Sequence, residues 1–152
     1  MIVLDANILL YAYDSQSTLH GVAREWLEAA FSDSIPIGIA WQSLLAFVRI
    51  STDVRLPGTR LTVEQATELV ESWLQQSNVR LLPATEDHWL VFQRMVTEGQ
   101  ARGPLVTDAH LAALTIENGA VLYTTDRDFA RFPGLRWQNP LEDGRIEGKR
   151  GV

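Results

Sequence analysis

"VTDAHLAALTIENGAVLYTTD" (residues 106–126) reads as a helix, a stop and a strand in immediate succession, with a carboxylate near each end. Asp108 opens a strongly apolar helix, where the helix dipole and free peptide N–H groups favour an ionised side chain. Gly119 reads as the helix stop, and the apolar run 120–124 suits a short buried strand. Asp126 follows that strand at its carboxyl end, and Asp128 comes two residues later, at the start of a short "FARF" turn.

The same alternation extends through the chain. Residues 2–4, 35–40 and 79–82 are three more short apolar runs. Between them Val22, Ala23, Trp26, Leu27, Ala30 and Phe31 share one helical face, and Val63, Ala66, Leu69, Val70, Trp73 and Leu74 share another. Thr62 with Gln65 predicts a capping box, Thr85 before "EDHW" places acids in a first helical turn, and "RLPGTR" (55–60) predicts a turn joining two helices. Strands alternating with helices predict an α/β fold with a mostly parallel sheet of four to five strands covered on both faces. Ligands of such sheets bind beyond the carboxyl ends of the strands.

Asp5 then has an address, because it directly follows the first strand and precedes the helix "ANILLYAY". Singly, each acid has an ordinary explanation. Asp108 alone reads as an N-cap, Asp126 and Asp128 as turn residues, and Asp5 as a possible cap for the next helix. Jointly they converge on one sheet edge, where carboxylates repel one another unless a proton or a cation intervenes, and the common solution is a hard divalent ion with oxygen ligands.

Composition bounds the alternatives. The 152 residues suit one domain, expected over 1–140, with the polar, Gly-rich end 141–152 expected to fray. No cysteine is present, which excludes disulfides, thiolate zinc sites and cysteine nucleophiles. The apolar start "MIVL" is cut by Asp5 and has no basic flank, so neither a leader nor a membrane span is expected and a cytoplasmic location is. A net charge of -6 argues against broad electrostatic binding of nucleic acid without excluding a nuclease. Lys149 is the one lysine; every other cation is an arginine.

"IVLDANILLYAY" (2–13), "RISTDVRLPGTRLTVEQA" (49–66) and "VTDAHLAALTIENGAVLYTTDRDFARFPGL" (106–135), in this order and spacing, resemble the PIN domain, and in particular the VapC toxins of bacterial toxin–antitoxin pairs. The resemblance implies a three-layer PIN-like fold and an Mg²⁺-dependent endoribonuclease, with Mn²⁺ as a substitute, neutralised by a cognate VapB-type antitoxin. It also implies an RNA substrate, a homodimer and no membrane association. Position by position, Asp5, Asp108 and Asp126 match the family's catalytic and metal-holding acids, and Asp128 matches a fourth that many members carry. Asn7, Thr124 and Thr125 fall where supporting polar groups often stand. One departure concerns "AFVR" (46–49), where Phe47 occupies the place of a usual glutamate. A single well-held ion is therefore expected, any second being recruited by the RNA phosphate.

Two rivals remain at this level. A covalent aspartyl-phosphate mechanism needs a lysine near the phosphoryl group, and Lys149 lies far out in the tail. A non-catalytic PIN-like module that binds RNA or protein is kept open by Phe47. Arg24, Arg49, Arg55, Arg102, Arg127 and Arg131 are candidate phosphate contacts, each more simply a solvated or ion-paired surface group. His20, His88 and His110 show no ligand spacing and read as surface or partly buried side chains. Trp26, Trp73 and Trp89 lie on apolar helical faces and are expected in the core, with Trp41 and Trp137 undecided. The faces of helices 20–32 and 41–53 are candidates for antitoxin or dimer contacts, or simply for covering the sheet.

Overall fold

In the computed structural model, which describes residues 1–142, every strand is two or three residues long, so neighbours rather than length hold each in place. The strands are β1 (Ile2–Leu4), β2 (Ile37–Ile39), β3 (Val79–Leu81), β4 (Val121–Tyr123) and β5 (Trp137–Gln138). They form one sheet in the order β3-β2-β1-β4-β5, and every neighbouring pair is parallel. Among the described residues the sheet thus has no antiparallel member, and its fifth strand falls where no apolar run announces it.

Around it pack α1 (Ala6–Tyr13), α2 (His20–Ser32), α3 (Trp41–Thr52), α4 (Val63–Leu74), α5 (His88–Glu98) and α6 (Leu105–Glu117), with a 3₁₀ turn at Arg127–Arg131. Alternation along β1 splits the core between the two faces of the sheet. Leu4 joins Ile8, Leu9, Trp26, Leu27, Phe47 and Trp73 under α1–α4, whereas Val3 joins Met95, Leu111, Leu114 and Phe129 under α5 and α6. Each fully buried Leu or Ile stabilises this arrangement by about 1.5–3 kcal/mol relative to exposure. The result is the expected three-layer α/β fold.

Local signals set most of the boundaries. Thr62 Oγ1 accepts from the Gln65 N–H at 3.1 Å while Gln65 Oε1 accepts from the Thr62 N–H at 3.0 Å, so the capping box of α4 is complete. Gly119 ends the turn after α6 at φ 64°, a conformation that side chains with a Cβ rarely adopt. Three expectations need correction. The acids Glu86 and Asp87 precede α5 rather than occupying its first turn, and the Thr85 N–H donates instead to Glu117 Oε1 at 2.8 Å. Helix α6 begins at Leu105 with Pro104 at its N-cap, so Asp108 is its fourth residue and caps nothing. Trp89 is 68% exposed, because the first turn of α5 faces solvent, while Trp26 and Trp73 are buried as expected.

Among the described residues no helix is long and apolar enough to cross a membrane. Leu141 is buried against the α1–α4 side of the core. Glu142 pairs with Arg127 at 2.7 Å, and residues 143–152 of the expected tail, Lys149 included, lie outside the described residues.

Candidate active site

Because β1 is the central strand, its carboxyl end delivers Asp5 to the middle of the sheet edge. The Asp5 N–H donates to the Tyr123 carbonyl at 3.1 Å, extending the β1–β4 pairing by one residue. Its carboxylate then has two tasks. Oδ1 accepts from the Ala6 N–H at 2.7 Å and caps α1, while Oδ2 accepts the Thr124 hydroxyl at 2.8 Å and the Asn7 amide at 3.4 Å. Burial nevertheless pushes the Asp5 carboxyl above its usual range against those hydrogen bonds, and the Asp126 charge adds to the push. The cap explains how the strand-end charge is held without neutralising it.

Thr124, fully buried at the end of β4, links the acids to one another. Its hydroxyl donates to Asp5 and accepts both the Asn7 amide at 3.0 Å and the Asp126 N–H at 3.0 Å. One donor and two acceptor positions are all that a hydroxyl offers, so Thr124 is fully used. Asp126 in turn caps the 3₁₀ turn by accepting the Asp128 N–H at 2.8 Å. Among the described residues Thr125 makes no hydrogen bond to these acids, so of the paired threonines only Thr124 supports them. Asn7 Oδ1 is buried with no hydrogen-bond partner.

Asp108 reaches the same edge from α6, and no hydrogen bond to its carboxylate is made among the described residues. Burial, followed by the charges of Asp5, Asp126 and Asp128, pushes its carboxyl up to about 6, opposed by Arg131. The four predicted acids are therefore close enough to feel one another. Among the described residues no three carboxylates or imidazoles close on one point as a ready-made coordination shell. The donor set, made of mutually repelling hard oxygens plus the orphaned Asn7 oxygen, fits by charge and type a hard divalent cation that keeps several of its waters.

Phe47 does not look into this edge. Its ring lies 4.6 Å from Trp73 and 6.1 Å from Tyr13, in the core beneath α3. Tyr13 ends α1, about 12 Å along the helix from Asp5, so this position contributes packing and no charge to the edge. Of the candidate arginines, Arg24, Arg55 and Arg127 pair on the surface with Glu28, Asp53 and Glu142. Arg49 and Arg102 are exposed. Arg131 is the cation that acts on Asp108.

A second polar constellation was not legible in the sequence. Glu117 Oε2 bonds His88 Nδ1 at 2.8 Å, and His88 Nε2 bonds His110 Nδ1 at 2.8 Å. Burial, then the neighbouring His88, depresses His110 below its ordinary value, with Glu117 opposing. The only sequence signal was the two-turn separation of His110 and Glu117 on α6, since the bridging His88 belongs to α5. His20, by contrast, bonds the Tyr11 carbonyl at 3.1 Å and stays local.

The PIN domain family model matches residues 2–135. Ribonuclease VapC37 from Mycobacterium tuberculosis is 41% identical over 140 residues, covering 92% of this chain and 97% of the relative. Ribonuclease VapC33 from the same species is 35% identical over 143 residues, covering 94% of this chain and 100% of the relative. Among solved structures, VapBC2 from Rickettsia felis bound to a DNA fragment from its promoter superposes with a TM-score of 0.67 at 21% identity, covering 91% of this chain and 98% of the other. VapC20 from Mycobacterium tuberculosis, a sarcin-ricin-loop-cleaving toxin, superposes with a TM-score of 0.64 at 17% identity, covering 86% and 93%. These two likenesses concern the fold.

Proposed function

This chain belongs to the PIN-domain family, among its VapC ribonucleases, and from that membership we propose that it is the toxin of a toxin–antitoxin pair and cuts RNA internally with the help of a divalent metal ion. The observation that carries the reading is the sheet edge itself, where Asp108 must ionise against its own burial and the charges of Asp5, Asp126 and Asp128, and where no hydrogen-bond donor among the described residues reaches its carboxylate. Such an arrangement gains from a bound cation what it lacks in protein partners.

Asp5, Asp108 and Asp126 are the residues that would hold the ion, with Mg²⁺ the first candidate and Mn²⁺ a substitute. Bound there, a divalent ion supplies Lewis-acid polarisation of a phosphate and lowers the pKa of a water. The chain's own residues do the rest. Thr124 and Asn7 fix the rotamer of Asp5, the Thr124 hydroxyl donated to Asp5 ties the ends of β1 and β4 together, the Asp126 N–H donated to Thr124 holds the turn after β4, and Asp128 adds negative charge at the rim. Arg131, which acts on Asp108, is placed to meet an anionic substrate on the same side.

The partner belongs to the same proposal. Several fold neighbours were solved as toxin–antitoxin complexes, which supports a VapB-type antitoxin as the inhibitor here; a second copy of this chain is a further partner that the family resemblance alone implies. The alternative reading, a PIN-like module without activity, draws on the absence of a tight acid cluster among the described residues and on Phe47. One experiment decides between them. Purified protein is incubated with RNA in Mg²⁺ or in chelator, beside Asp5→Asn and Asp108→Asn, and new 5′ ends are mapped. Cleavage confined to wild type with metal is expected; cleavage that persists in chelator or in both variants overturns the proposal.

A further inference from the structure

Trp41 is the first residue of α3 and stands immediately beyond β2, the strand beside β1. Leu4 is level with Ile39 on one side and Tyr123 on the other, so Asp5, Ala40 and Thr124 form the next level of the edge and Trp41 comes one step above. Trp41 is 60% exposed at that position. The start of α3 is fastened to the start of α6, because the Gln42 side-chain amide donates to the Thr107 carbonyl at 3.0 Å, one residue before Asp108. This holds the start of α3, Trp41 included, at the edge of the sheet where the acids gather.

The turn that carries it has no side-chain cap and no acidic residue, although two other elements at this edge, α1 and the 3₁₀ turn, are capped by Asp5 and Asp126. An uncapped helix start leaves peptide N–H groups for an incoming anion, and a flat aromatic surface takes the face of a base. A nucleotide has both parts at the separation of a base from its own phosphate. We propose that Trp41 is the stacking platform for an unpaired base of the RNA next to the cleaved linkage, with the first turn of α3 receiving that nucleotide's phosphate. This rests on the ribonuclease reading above and adds a residue that binds substrate without taking part in the chemistry. Leu45, one turn along and also exposed, continues the patch, which makes a second copy of the chain the competing occupant.

The test compares wild type, Trp41→Ala and Trp41→Phe, with Trp89→Ala as a control for loss of an equally exposed indole on α5. KM and kcat are measured on an RNA with a mapped site. Binding of a short fluorescein-labelled single-stranded RNA of random sequence is measured with Asp5→Asn protein, with and without Trp41→Ala. Oligomeric state is followed by light scattering at the assay concentrations. Trp41→Ala is expected to raise KM and weaken binding about tenfold or more with kcat little changed. Trp41→Phe should recover most of that loss, and Trp89→Ala should match wild type. Unchanged KM and binding in Trp41→Ala overturn the platform, as does a loss that follows dissociation of an oligomer, which assigns the face to a second copy. If wild type cuts no RNA yet binding still depends on Trp41, the ribonuclease reading fails and the platform stands; if wild type cuts and Trp41→Ala cuts equally well, the reverse holds.

Discussion

Asp108 and Glu117 lie on the same helix, two and a half turns apart, and are handled in opposite ways. Glu117 sits at the C-terminal end of α6, where the helix dipole disfavours a negative charge, and its side chain is only 3% exposed. Yet both of its oxygens are matched, one by the Thr85 N–H and one by His88, whose other nitrogen continues to His110. Asp108 sits in the first turn, where the dipole favours it, and is left facing three carboxylates. Partners, not helix position, decide which charge is at rest. A fold that supplies every partner at one end of a helix and withholds them at the other has, at the other, a place for something from outside.

The largest expected effect separates the two ends by function. Asp5→Asn keeps the α1 cap through its amide oxygen but removes charge from the edge, so metal-dependent cleavage should fall about a thousandfold, or about 4 kcal/mol in the barrier, while its amide nitrogen, facing the Thr124 and Asn7 donors, should cost only about 1 kcal/mol of stability. Glu117→Ala should do the reverse. It strips His88 and the Thr85 N–H of a buried partner and should cost about 3 kcal/mol of stability in chemical denaturation, while the protein that remains folded keeps its kcat. Equal loss of kcat in the two variants would erase the distinction drawn between them.

Thr124→Val sharpens the comparison inside the edge. The valine preserves shape but leaves Asp5 Oδ2 and the Asp126 N–H without the hydroxyl that joined them, an expected loss of about 2 kcal/mol. Since that hydrogen bond also lowers the Asp5 pKa, removing it should raise the pH at which cleavage sets in. Thr124→Ser should restore both stability and the pH profile.

What could be read from the sequence follows from how each feature is encoded. Asp5 and Asp126 were legible because apolar strands run straight into them, and parallel topology then sends both to one edge. The start of α6 was misplaced because Asp108 resembles a cap, whereas the signal in use was Gly103-Pro104, a turn followed by an extra helical turn before the acid. β5 escaped notice because two residues paired on one side need no apolar run. Trp89 shares a helical period with core residues, but periodicity cannot say that the first turn of α5 overhangs the domain. The Glu117–His88–His110 chain joins positions 29 and 22 residues apart through side chains of two helices, so no local pattern encodes it.

The smallest predicted effect is on stability, and it has an unusual sign. An acid whose pKa is raised from 3.8 to about 6 on folding still holds its proton in the native state when the unfolded chain has released it. Between these two values the native state binds more protons, so stability falls as pH rises and stays lower above the window. Asp108→Asn removes this penalty. In metal-free buffer at pH 7.5 the variant should be more stable than wild type by about 1 kcal/mol, the nominal shift being reduced by solvent screening at a half-exposed group, and below about pH 4 the difference should vanish. Saturating Mg²⁺ should then raise the melting temperature of wild type more than that of Asp108→Asn, because only a native state that binds the ion is stabilised by mass action. His110, depressed by burial on the same helix, contributes the opposite slope, with stability lost as pH falls below 6.5. Comparing Asp108→Asn with wild type subtracts that contribution, provided the two sites titrate independently. A variant less stable than wild type at neutral pH would mean that Asp108 has found a partner after all, and that the two ends of α6 are built alike.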